Sequence, residues 1–413
     1  MTFIYDAVRT PRGRGVPAGS AKAGSLSTLS PQDLVAGLVS AIAKRASRAE
    51  PIEPGLLMLS CVGQVGAQGG HIALVSKLAS DLPDACAALT VNNYCAGGLS
   101  AINLAGAWSS TQKQRLVLAG GVEMLSRVPF LADGAELYTD GAVRESLGWM
   151  PAPMGSELIA ALDGFSRSDL DEVSLRSHRR AAAAWQRDGF GASVIPVANR
   201  AGDVMLDTDE CVRANLNAEQ LASLPPLFPN DESTHSAKAQ MHARYPELSS
   251  IDFVHTVGHV PPQADGAALA LLGSHSAGVD AGLSPRAEIL ASAELGGDSI
   301  LQFGAGFAAM ETVLADTGMQ LSDIDRIEFM EAFAATPLRF ERQYRPDMER
   351  VNVNGGHLAM GHPMGATGAV LVSSLLDELE QSDGEIGMVV TLGATGVGSA
   401  IIVRRLKNQG LED

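Results

Sequence analysis

Two stretches of this chain repeat one layout: a glycine-rich turn, a helix of small and aliphatic residues, and a strand that ends in glycine. The first begins with Ala87-Ala88-Leu89-Thr90-Val91, a short apolar run with a β-branched end that predicts a buried strand. It continues through Asn92-Asn93-Tyr94-Cys95-Ala96-Gly97-Gly98. Leu99, Ile102 and Ala105 follow at helical spacing among small residues, the pattern of a helix buried on most sides. The second is Asn354 to Gly368, then a helix over Ala369 to Leu379 and a strand over Met388 to Leu392. The glycine turn Gly393-Ala394-Thr395-Gly396-Val397-Gly398 and a last strand, Ala400 to Val403, complete it. The repeat argues for an α/β protein made by fusing two similar halves.

Before and between these blocks much of the chain alternates in the same way. Phe3 to Val8 reads as a first strand, closed by the basic loop Arg9-Thr10-Pro11-Arg12-Gly13-Arg14-Gly15, which could grip phosphate or simply be solvated. Ser30-Pro31-Gln32-Asp33 opens a helix to about Arg45, with serine as N-cap and proline at the first helical position. Gly63 to Gly70 is a turn, Ile72 to Leu82 a helix, and Arg115 to Gly121 a strand, so strand, helix and strand around Cys95 form a βαβ unit of a parallel sheet. From Glu123 to about Ser250 the alternation stops. A helix near Asp169 to Ala184 and a polar stretch from Asn199 to Glu247 mark an inserted loop domain, whose methionines could line a pocket or fill gaps in a small core. From Ile251 the alternation resumes, with Gly258 to Gly266 as a turn before the apolar run Ala267 to Leu272, and Ile327 to Met330 as a strand leading into a helix over Glu331 to Ala334.

Length and charge exclude several functions. At 413 residues the chain exceeds one ordinary core. A formal charge of −17 argues against nucleic acid or an anionic membrane surface as partner. The cysteines at 61, 86, 95 and 211 have no paired spacing, which suggests neither a disulfide framework nor a zinc site. With no leader-like or membrane-spanning apolar run, the expected location is the cytoplasm.

The candidate chemistry lies in two residues. Cys95 sits where a strand turns into a helix, and the backbone N–H groups of a helix start favour thiolate, although a buried structural cysteine is as common an outcome. His362, between Gly361 and Pro363, belongs to a glycine-rich turn. A thiol nucleophile needs a base to take its proton, and histidine supplies one.

The chain resembles the thiolase family, specifically its acetyl-CoA acetyltransferase branch. The resemblance runs over essentially the whole length. It is carried by Arg9-Thr10-Pro11, Val91 to Leu99, Gly120-Gly121-Val122-Glu123 with Ser126-Arg127-Val128-Pro129, Asp265-Gly266-Ala267-Ala268, Glu331-Ala332-Phe333-Ala334 and Asn354 to Gly368. It implies the thiolase fold, two βαβαβαββ halves in five layers with a loop domain inserted in the first half. The expected division is 1–122 with 251–275 as the N-terminal half, 123–250 as the insert and 276–413 as the C-terminal half. It also implies a coenzyme A thioester as substrate with no further cofactor or metal, a homodimer or homotetramer, Cys95 as the acylated nucleophile, and His362 as the residue that activates it and lines an oxyanion site.

Five positions depart from the family pattern. Met330 stands where thiolases carry the asparagine that holds an oxyanion water, a role a thioether cannot fill. The second catalytic cysteine aligns with Gly393, or with Leu392 if the gap is placed differently. His259 and Pro261 replace the polar residues of a CoA-contacting segment, and His357 replaces a small residue. The reading that follows is an acyltransferase using Cys95 and His362 in a condensation or other acyl transfer rather than ordinary thiolysis, with His357 or His259 as a substitute acid/base. The alternatives are a catalytically weak subunit that binds acyl-CoA or stabilises a partner subunit, and a degradative thiolase with a compensating group.

Overall fold

The apolar runs line up in one mixed sheet. The computed structural model describes residues 1–46, 52–229 and 234–407. Its sheet contains β1 (Thr2–Arg9), β2 (Leu56–Ser60), β3 (Ala87–Val91), β4 (Val117–Met124), β5 (Ala264–Gly273), β6 (Ala287–Gly296), β7 (Arg326–Phe329), β8 (Ile386–Gly393) and β9 (Val397–Arg405). The order is β7-β8-β9-β6-β1-β5-β4-β2-β3. From the β3 edge inward the pairings run parallel, parallel, antiparallel, antiparallel to β1. From Val351, which bridges in parallel to Ile327 of β7, the pairings to β6 follow the same series. The repeated layout in the sequence is therefore a repeated topology, joined where β1 pairs antiparallel with β6.

Helices complete the layers. We label α1 (Pro31–Arg45), α2 (Gly97–Thr111), α3 (Ala152–Asp163), α4 (Arg167–Gln186), α5 (Ala305–Thr317), α6 (Ala335–Tyr344) and α7 (Thr367–Gln381). α2 and α7 pack on each other and touch strands of both halves, so they form the middle layer. Their crossing needs glycine. A Cβ on Gly368 would lie 2.2 Å from the Leu99 nitrogen, and one on Gly98 would lie 2.8 Å from the Gly365 carbonyl oxygen. α1 covers the outer face of the first half, and α5 covers β6, β8 and β9 of the second. The Ser30 hydroxyl accepts from the Asp33 N–H, and the Asp33 carboxylate accepts from the Ser30 N–H, which closes the start of α1 as the sequence predicts.

Between Met124 and Ala264 the chain leaves the sheet. α3, α4 and the ribbon Val197–Ala198 with Val204–Leu206 lie there. Met150, Met154, Met241 and Phe253 belong to a small separate core, so Met154 and Met241 fill gaps there, while Met150 also lines a cavity. Part of the polar stretch from Asn199 to Glu247, residues 230–233, lies outside the described residues.

Local expectations fail where tertiary contacts intervene. β3 forms as predicted but is an edge strand, with Leu89 47 % exposed rather than buried. The helix at Ile72 stops at Leu78, and the helix after β7 starts at Ala335 rather than at Glu331. Neither phosphate binding nor solvation describes the basic loop. Arg9 and Arg12 are buried, and both guanidiniums donate to Asp209, at 2.8 and 3.2 Å. Burial alone would raise the Asp209 pKa, but Arg12 and Arg9 together hold it below the usual carboxylate value.

Candidate active site

Cys95 occupies the turn between β3 and α2. The turn is held locally. The Tyr94 N–H donates to Asn92 Oδ1 at 3.1 Å, Tyr94 takes φ +46°, and the Ala96 and Gly97 N–H groups donate to the Asn93 and Tyr94 carbonyls. Gly97 is required by contact, because a Cβ there would lie 2.1 Å from Ser60 Oγ. Cys95 is half-buried, and its thiol opens on a cavity of about 320 Å³ whose wall also includes His362, Ala394, Phe333, Trp149 and Met150.

His362 reaches the same cavity from the other half. Its N–H donates to the Pro262 carbonyl at 2.8 Å, and its Nδ1 is hydrogen bonded to the Thr367 hydroxyl at 2.7 Å, at the first turn of α7. Gly361 adopts φ +94° beside it. Arg12 donates to the Gly361 carbonyl at 3.3 Å, so the buried arginine pair props this turn. Glu123 ties the two halves together here. It accepts from the N–H groups of Val62 at 2.9 Å, Gly63 at 3.0 Å and Gly365 at 3.1 Å, and from Gln68 Nε2 at 2.6 Å. Gly121 leaves the space, since a Cβ there would lie 2.3 Å from the Gly365 carbonyl oxygen.

The electrostatics differ from the sequence expectation of a thiolate. Burial pushes the Cys95 thiol up to about 12; the Ala394 backbone N–H pulls it down and the Glu123 charge adds to the rise. Desolvation outweighs the helix start. His362 is pushed down to about 3, by burial and then by the nearby Arg12 charge. At neutral pH the cavity wall thus carries a neutral thiol and a neutral imidazole, so a proton must move when the sulfur attacks.

The positions expected to depart from the family pattern separate clearly. Gly393 faces Cys95: a Cβ there would lie 3.6 Å from Cys95 Cβ and 3.4 Å from its nitrogen. Leu392 is fully buried and packs in the core, where its Cβ faces Gly306. Met330 is also in the core and does not line the cavity, whereas Ala332 and Phe333 do. His259 lies outside the cavity wall. Its Nδ1 accepts from the Thr256 N–H at 3.1 Å, which leaves Nε2 to donate to Asp171 at 2.7 Å. Burial lowers its pKa to about 4 despite Asp171. His357 is fully buried behind His362, with ring centroids 5.6 Å apart, and lies outside the cavity wall as well. Its pKa is far below the usual value because of burial, reinforced by Arg12.

Sequence reasoning missed the Arg9, Arg12 and Asp209 support and the aromatic wall. Asp209 has no motif around it, and Trp149 and Phe303 approach Cys95 only through the fold. Among the described residues no group of three or more His, Cys, Asp or Glu is placed to hold a metal ion, and no helix is long and apolar enough to cross a membrane.

Known proteins resemble this chain along nearly its whole length. The thiolase N-terminal domain model matches residues 2–241 and the thiolase C-terminal domain model residues 283–405. A 3-ketoacyl-CoA thiolase of Photorhabdus laumondii is 32% identical, with 98% of each chain covered. A beta-ketoadipyl-CoA thiolase of Acinetobacter baylyi is 31% identical, covering 98% of this chain and 99% of the relative. The crystal structure of the Bacillus anthracis acetyl-CoA acetyltransferase superposes with a TM-score of 0.81 at 28% identity, over 98% of both chains. A duplicated sheet, a cysteine and a histidine brought to one cavity from its two halves, and two matching domains lead to one conclusion: the chain belongs to the thiolase family, and it is a thiolase-type acyltransferase acting on acyl-CoA.

Proposed function

We propose that Cys95 takes an acyl group from acyl-CoA and that the protein passes it to another acceptor, with thiolysis and its reverse, condensation with an acyl-CoA, both slow. His362, its Nδ1–H donating to Thr367, takes the thiol proton at Nε2 as the sulfur attacks the thioester carbonyl. The backbone N–H groups of Cys95 and Ala394 stabilise the oxyanion. The intermediate collapses, the coenzyme A sulfur leaves and takes the proton back from His362, and the acyl group stays on Cys95. The observation that carries the reading is that Cys95 and His362 line one cavity while the position opposite Cys95 is Gly393, which offers no proton.

Thiolysis needs a further group to deprotonate the incoming CoA thiol and to protonate the departing carbanion. His357 and His259 do not line the cavity, which weighs against a substitute acid/base and so against both an ordinary degradative thiolase and the expected condensation, and favours acyl transfer to another acceptor. A weak acyl-binding subunit is the reading left if no turnover follows acylation. The domain division (1–122 with 251–275, 123–250 and 276–413), a cytoplasmic location and a homodimer or homotetramer belong to the same proposal. Among the described residues the outer edge of β3 is unpaired, and with Leu89 exposed this favours assembly.

Intact-mass measurement after incubation with acyl-CoA tests it. Wild type should gain one acyl mass and Cys95→Ala none, and His362→Ala should acylate about 10²–10⁴-fold more slowly. Label that persists in Cys95→Ala removes the proposed nucleophile.

A further inference from the structure

We infer that the acyl group this protein accepts is a neutral, apolar chain, and that a chain ending in a carboxylate is excluded; this rests on the acyl-transfer reading above. The walls around Cys95 carry the inference. Beside the main cavity lies a smaller one of about 70 Å³, and the two share Val62, Tyr94, Phe130, Leu131, Tyr138 and Met364. Phe303, Phe333, Trp149 and Met150 extend the apolar wall on the main side. Among the described residues no lysine or arginine lines either cavity.

The charges that are present have the wrong sign for an acid-ended chain. Glu123 and Asp133 both line the smaller cavity. Asp133 accepts from the hydroxyl of Tyr138, and Tyr138 lines both cavities. A carboxylate placed against these walls would meet no cation, and on the side of the smaller cavity it would face two acidic side chains. The Arg144 guanidinium does come near, 5.1 Å from the Trp149 ring centroid, but it is not part of the cavity wall. A neutral chain has the opposite balance, since each methylene it buries against these walls favours binding. The resemblance to a beta-ketoadipyl-CoA thiolase therefore does not extend to the acyl end that this cavity can hold.

Hexanoyl-CoA and adipoyl-CoA have acyl chains of equal carbon number and differ by one terminal carboxylate, which makes them the decisive pair. The rate of one-acyl mass gain on wild type should be at least roughly 100-fold higher with hexanoyl-CoA, the scale of discrimination expected when a buried charge finds no partner. Acetyl-CoA should also be slower than hexanoyl-CoA. In Phe130→Arg, which places a cation on the shared wall, the adipoyl-to-hexanoyl rate ratio should rise at least tenfold. Equal rates for the two six-carbon donors, or a ratio unmoved by Phe130→Arg, overturn the specificity and leave acyl transfer standing. No label from any donor removes the acyl-transfer reading itself.

Discussion

Restoring a thiol opposite Cys95 is the most direct probe of the site, and the structure sets its terms. Gly393 has φ −143° and ψ 171°, ordinary extended backbone, so Gly393→Cys needs no special conformation. Its Cβ would sit 3.6 Å from Cys95 Cβ, inside the separation of roughly 3.5–4.5 Å that disulfides span. The obstacle is Val397, whose Cγ2 would lie 2.7 Å away, so its side chain must turn; overpacking of this kind costs about 1–3 kcal/mol. In reducing buffer the variant gains the group that thiolysis lacks, and acetoacetyl-CoA cleavage should rise by about 10²-fold or more. The gain should stay below that of a complete thiolase, because Met330 is the residue expected at the position of the family's asparagine; an oxyanion donor is typically worth roughly 10²–10³-fold. Adding Met330→Asn should help less than that, since Met330 is buried in the core and an amide there loses solvation. In oxidising buffer the variant should lose acylation of Cys95 and recover it with a thiol reductant, read by intact mass and by thiol counting. Leu392→Cys is the control and should do neither. If Gly393→Cys neither changes thiolysis nor traps Cys95, or if wild type already cleaves acetoacetyl-CoA rapidly, the geometric reasoning is refuted.

Three further outcomes follow from the same geometry. With Cys95 near 12 and His362 near 3, wild-type acylation should be flat between about pH 6 and 9, whereas in His362→Ala it should climb toward tenfold per pH unit because hydroxide must make the thiolate; parallel profiles for the two would sink the proton-transfer role. Asp209→Ala strands two buried guanidiniums and should destabilise the fold by about 3–5 kcal/mol, seen as a clear drop in Tm, while a surface acid such as Glu349 changed to Ala should not. The buried carboxyls of Glu328 and Glu378 face each other, and burial raises both pKa values, Glu378 to about 7. A carboxyl raised in the folded state holds its proton there, so it favours unfolding as pH rises through the window from about 4.5 to 7. Glu378→Gln should therefore raise Tm at pH 8 and leave it nearly unchanged at pH 4; a lower Tm at pH 8 would contradict the sign.

The sequence by itself determined the duplicated α/β layout, the cap of α1, and the placing of Cys95 and His362 in glycine-rich turns. These are local properties. A strand, a capped helix start and a turn are written in residues within a few positions of one another, and close backbone approach demands glycine whatever lies opposite. Only the tertiary structure decided the rest. Arg9 and Arg12 read as a solvent or phosphate loop until Asp209, about two hundred residues away, comes to neutralise them inside the protein. Gly393 and Leu392 are equivalent gaps in sequence, and only the path of β8 turns one toward Cys95 and the other into the core. The thiol at a helix start suggested thiolate, but protonation follows the local dielectric and nearby charge. Those are set by everything packed around the sulfur, most of it distant in the chain.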